Sequence, residues 1–152
     1  MKTVQIADFK SLEQACSELR ESLFDLDTAS LNSTQDVWEG KFIRPLEDPT
    51  RSETRKRFFF LGSVRYFPLI QTVLRIRKVK SQRVNDRARI GRYTFSEVRP
   101  TPTGCSLQFI EDMEIELDFE RDALGELVDE RLLDRRGYVK SFLLIESGLM
   151  IE

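Results

Sequence analysis

Histidine is absent from the 152 residues. That removes Ser–His–Asp and Cys–His nucleophilic chemistry and every His-ligated metal centre. Cysteine occurs twice, at Cys16 and Cys105, with neither a Cys-x-x-Cys step nor a zinc-type spacing. Both read as small buried apolar side chains in a reducing, cytoplasmic setting. There is no run of about 18 apolar residues, so no membrane-spanning helix is encoded. The N-terminus lacks the apolar stretch of a secretory signal, and Asp8, Glu13 and Glu18 do not suit an organelle transit peptide. The 7 glycines form no GxGxxG, GxxxxGK[ST] or GxSxG pattern, so the phosphate-cradling loops and the serine elbow are missing too. Acid/base chemistry by paired carboxylates survives these exclusions, but 26 acidic residues single out no pair. A non-catalytic protein with no cofactor and no metal is therefore the expectation.

What is present suffices for a core. Hydrophobic residues make up 40% of the chain, including 11 Phe, 3 Tyr and 1 Trp. The length suits a single domain over residues 1–152. Phe9, Leu12, Cys16, Leu19, Leu23 and Leu26 recur at three- and four-residue steps, which predicts an amphipathic helix over 9–26. Ser11 and Gln14 have capping-box spacing at its start. A polar loop is expected over 27–36.

From residue 37 the texture is that of strands. They are expected at 37–44, at 57–66 with a break at Pro68, at 70–80, at 87–99 and at 105–119, with turns at 81–86 and 100–104. Within 105–119, Cys105, Leu107, Phe109, Met113, Ile115, Leu117 and Phe119 share one parity, so one face is buried. Glu111 alone breaks the phase, and a hairpin at Glu111-Asp112 competes with a continuous strand. Residues 122–136 fit a short helix through Ala123, Leu124, Leu127, Val128 and Leu132 behind Asp122, but Leu127–Asp134 also alternates as a strand. Two more strands follow, over 138–145 and 149–151. Seven or eight strands with short links predict a mainly β (α+β) fold, an antiparallel up-and-down meander closing into a barrel or a curled sheet.

Charge is segregated along the chain. Residues 51–92 hold 13 basic and 2 acidic side chains, against 5 and 10 before them and 6 and 14 after them. A basic face interleaved with aromatics can dock an acidic protein or an anionic membrane surface. The net charge of −2, the pI near 5.4 and the lack of an RNA- or DNA-binding signature argue against nucleic acid. The competing expectation is internal. Asp112, Glu114, Glu116, Asp118, Glu120 and Asp122 project to one side of a strand, and Arg75/Arg77 and Arg87/Arg89 repeat at the same step, as cross-strand ion pairs require. Carboxylates two residues apart on a strand lie nearly 7 Å apart, too far to converge on one cation.

Asp129-Glu130-x-Leu132, then Arg136-Gly137 and Ser141-Phe142-Leu143-Leu144, resembles the closing segment of the plastid lipid-associated proteins, the fibrillins. Trp38 on a strand after an N-terminal helix is similar in layout. The resemblance implies a lipocalin-like barrel, a lipid or other apolar molecule as ligand, and a strand rather than a helix at 127–134. Residues 111–126 depart from the family in being acidic. A barrel of about eight strands has room for side chains or one small ligand. The candidate ligand-lining residues are Trp38, Phe42, Phe60, Tyr93, Phe95 and Phe109, with Arg92 and Arg136 as polar anchors at a mouth.

Overall fold

In a computed structural model of the chain, residues 2–46, 53–56, 63–142, 145–146 and 149–151 are described. Among them, eleven strands belong to one sheet. The elements run β1 (Thr3–Ile6), α1 (Phe9–Ser17), β2 (Leu23–Asp25), a single 3-10 turn (Leu26–Thr28), β3 (Ser30–Asn32), β4 (Val37–Pro45), β5 (Glu53–Lys56), β6 (Ser63–Asp86), β7 (Arg92–Thr101), β8 (Gly104–Phe109), β9 (Met113–Phe142), β10 (Ile145–Glu146) and β11 (Met150–Ile151). Every pairing between strands is antiparallel. The mainly antiparallel β class expected from the alternation is the one observed.

The strand order is not an up-and-down meander. It runs β1-β9-β8-β7-β2-β4-β6-β5, and β6 also pairs β9. β6 thus lies between β4 and β9 rather than beside β7. The long partner of β6 is β9, from Asp86↔Met113 to Ser63↔Ser141, and the β7–β8 hairpin is inserted between them in sequence. Short links made the meander reasonable, but the non-local ladder between the two longest strands decides the order.

Four local expectations change for identifiable reasons. The helix ends at Ser17 instead of residue 26, because Glu21 adopts a left-handed φ of 68° and the chain turns into β2. Its cap is Asp8, whose carboxylate accepts from Ser11 N at 2.8 Å while the Ser11 hydroxyl accepts from Asp8 N at 3.0 Å. Pro68 does not break β6. It sits at a register shift between Pro68 and Ile70, where a strand tolerates the missing N–H. Residues 81–86 continue β6, and the following turn falls at 87–91. The helix expected near 122–136 is strand throughout, part of β9: Leu127 pairs with Leu74 of β6 on one edge and Val4 of β1 on the other. An apolar stripe that suits either period is settled by the partners available on both sides. Conversely, the hairpin reading of Glu111-Asp112 holds. Asp112 takes a left-handed φ of 48°, and both Glu111 carboxylate oxygens accept from Thr94 N, at 2.7 and 2.9 Å.

The inward sides of the strands make one apolar core with α1. Trp38, Phe24, Phe42, Tyr93, Phe95 and Phe109 are buried in it with Leu12, Leu19, Leu74, Ile76, Ile115 and Leu117. Gly40 makes room for the indole: a methyl there would lie 2.5 Å from Trp38 Cη2 and 3.0 Å from Phe24 Cε2. On the outer side, the acids of β9 pair with cations of β6. Arg75 bridges Glu39 at 2.6 Å and Glu126 at 2.8 Å, and Arg77 reaches the same Glu126 at 3.0 Å. Arg83 meets Glu116, and Arg87 meets Asp112 at 2.9 Å. Among the described residues, no helix is long and apolar enough to cross a membrane.

Candidate functional site

The residues expected to line a ligand divide into three groups. Trp38, Phe42, Tyr93, Phe95 and Phe109 are brought together in one core, and the Phe and Tyr rings pack against one another. Ring centroids lie 5.6 Å apart for Phe42–Phe95 and for Phe95–Phe109, and 6.1 Å for Tyr93–Phe109; Phe24, not anticipated, sits 4.9 Å from both Phe42 and Phe109. Their polar atoms are satisfied internally. Trp38 Nε1 donates to Gln82 Oε1 at 2.9 Å. The Tyr93 hydroxyl donates to the Asp86 carboxylate and accepts from the amides of Ile90 and Gly91 at 3.2 and 3.3 Å. It therefore fastens the 87–91 turn. Arg92 is exposed, opposite Asp25 in the β2–β7 register. Phe60 lies outside the described residues, as does the side chain of Arg136, whose backbone pairs with Pro68.

A polar cluster adjoins this aromatic block on the same inward side. β4 buries alternate residues, Trp38, Gly40 and Phe42, and the next residue of that parity is Arg44. Phe42 stands opposite Thr72 of β6, and Thr72 stands opposite Asp129 of β9. Directly opposed residues project to the same side of a sheet. Arg44, Thr72 and Asp129 therefore converge where the apolar interior ends at Phe42. The Arg44 guanidinium places Nη2 2.7 Å from Asp129 Oδ1 and donates through Nε to Thr72 Oγ1 at 3.0 Å. The Thr72 hydroxyl donates in turn to Asp129 Oδ1 at 3.0 Å.

The cluster is partly buried. Thr72 is fully buried, and the side chains of Arg44 and Asp129 are 17% and 7% exposed. Burial pushes the Asp129 carboxyl up, but the hydrogen bonds from Arg44 and Thr72 and the Arg44 charge outweigh it, and the group is held below its ordinary range. The carboxylate is thus charged at neutral pH, and with Arg44 the site is electrically neutral. Both side-chain contacts to Asp129 arrive on Oδ1, and the Lys2 backbone adds a further hydrogen bond to the carboxylate.

Parity in the sequence could have found this cluster. Arg44 has the parity of Trp38 and Phe42, Thr72 that of Leu74 and Ile76, and Asp129 that of Ile115, Leu117 and Leu127. The outward carboxylates occupy the other parity, and a strand over 122–136 would have made Asp129 the exception among them.

The basic segment is neutralised in part. Arg75, Arg77, Lys80, Arg83 and Arg87 all hold acids, so a polyanion would have to compete with fixed carboxylates at those five positions. No family model matches the chain, and neither a curated protein nor a solved structure matches it.

Proposed function

We propose that the chain is a non-catalytic binding protein for a small amphipathic molecule. The path of paired strands from β9 through β8, β7, β2, β4 and β6 returns to β9, and in this reading it closes as a small lipocalin-like barrel. The aromatic block plugs one part of the interior. The ligand's polar end meets Arg44, Thr72 and Asp129, and its apolar part lies against Phe42 and Ile70, their cross-strand neighbours on the same side.

The observation that carries this is the buried, inward-facing ion pair. Desolvating an arginine and a carboxylate costs several kcal/mol per ion, and well-packed apolar residues in their place are often neutral or stabilising. Stability therefore gives no reason to keep the pair, whereas orienting a polar group at the end of an apolar space does. The resemblance of Asp129-Glu130-x-Leu132 to the lipid-associated proteins supports the same reading, since its first residue is the buried partner of Arg44.

Titration with the neutral lipophilic dye Nile red tests it. A saturable signal, competed by a long-chain alcohol and weakened in the Arg44→Met/Asp129→Leu double variant, is expected. A linear, non-saturating response from the folded protein would overturn it.

A further inference from the structure

We propose that a second copy of this chain docks on the open edge of β7, antiparallel to it and centred on Val98. β2 covers β7 only from Arg92 to Thr94, and the residues just before β2 add one more pair of bonds, Glu21 N to Phe95 O and Phe95 N to Ser22 O. From Glu97 to Thr101, β8 pairs one edge of β7, and among the described residues no strand pairs the other. Pro100, with no N–H to offer, is tolerated on such an edge. An unpaired edge is a template for another chain. Beside it lies a groove of about 330 Å³, with Glu13, Cys16, Ser17 and Arg20 on the helix side and Ser96 and Val98 on β7.

The occupant is read from the charges. Exposed Glu97 and Arg99 flank buried Val98 and project to the same outer side. In a two-fold antiparallel pair about Val98, Glu97 of each copy stands opposite Arg99 of the other, so both contacts are attractive. Centring the pair on Glu97 or on Arg99 instead sets two carboxylates or two guanidiniums against each other. Edge charges ordinarily ward off neighbours, but opposite charges two residues apart admit one register of the chain's own copy. Within one chain the two meet at 2.6 Å on the exposed surface, where such pairs exchange partners at little cost. Opposed residues project to one side of a sheet, so Val98 of the second copy points toward the groove that Val98 itself lines. The paired stretch is short, which makes the dimer weak and concentration-dependent.

Sedimentation velocity of the full chain from about 10 µM to about 1 mM tests this, and the wild type should move from monomer toward dimer over that range. Glu97→Arg and Arg99→Glu each place like charges opposite one another and should weaken self-association at least about tenfold. An equimolar mixture of the two variants should restore it, because each supplies the charges the other lacks. Both positions are exposed, so the variants should fold, and Trp38 fluorescence checks that they do. A wild type that stays monomeric throughout would overturn the proposal. So would a dimer indifferent to the reversals, or a mixture no more associated than its components.

Discussion

Arg44 on β4 reaches over β6 to bring Nη2 2.7 Å from Asp129 Oδ1 on β9, so one ion pair ties three adjacent strands across their inner surface. It spans 85 residues of chain and uses Thr72 on the intervening strand as its rest.

Breaking that pair from one side should be costly. Arg44→Met leaves Asp129 buried and uncompensated and should destabilise the protein by about 3 kcal/mol. Adding Asp129→Leu should recover most of the loss, because the second substitution removes the orphaned charge. Urea unfolding of the two single variants and the double variant measures the coupling between them.

Acid should weaken the fold. Asp129, Glu126, Glu114 and Asp118 are all held below their ordinary values by hydrogen bonds, from Arg44 and Thr72, from Arg75, from Gln108 and from Thr103 respectively, against the opposing effect of burial. A carboxyl with a lowered folded value contributes stability that is complete above its unfolded value and is lost as pH falls through the folded one. The melting temperature should therefore be level near neutrality and fall through the carboxylate range. Glu126→Gln should make that fall shallower in a series of thermal melts.

Gly40→Ala should destabilise by about 2 kcal/mol, the usual cost of overfilling a packed core. The added methyl meets the Trp38 ring at 2.5 Å, and the indole is pinned by its bond to Gln82. Trp38 fluorescence should shift in the variant, whereas a free-standing glycine would leave it unmoved.

The outer charge ladder should matter less. Arg75, 33% exposed, holds two carboxylates, and Arg75→Gln should cost about 0.5–1 kcal/mol at low salt. The difference from the wild type should shrink in 1 M NaCl, where screening removes most of an exposed pair's attraction. Equal losses at both salt concentrations would assign Arg75 a packing role instead.

Parity made the aromatic block legible before any coordinates. Trp38, Phe42, Tyr93, Phe95 and Phe109 were expected inside, and they are buried together. The pairing of basic with acidic side chains was legible for the same reason at Arg87, which meets Asp112, whereas Arg75 and Arg77 meet Glu126, beyond the run of acids that ends at Asp122. What stayed hidden depends on partners far along the chain. Leu124, Leu127 and Leu132 satisfy a helix as well as a strand, and only the two edges offered by β1 and β6 decide between them. Pro68 looked like an ending because its tolerance depends on a register shift that β9 creates. Arg44 went unread because an arginine at the end of a strand resembles a solvated terminus until Asp129 is brought to it.

The β6–β9 ladder has a consequence for how the molecule assembles. Its innermost rung, Asp86↔Met113, encloses the β7–β8 hairpin, and its outermost, Ser63↔Ser141, joins segments separated by about half of the chain. Loop closure must be accomplished before such rungs give any return, and proteins dominated by distant contacts fold slowly for that reason. During synthesis, β4 and β6 can pair with each other, but the other edge of β6 has no partner until β9 is made. Asp129 lies on β9, so the Arg44–Asp129 clasp can form only once β9 is in place.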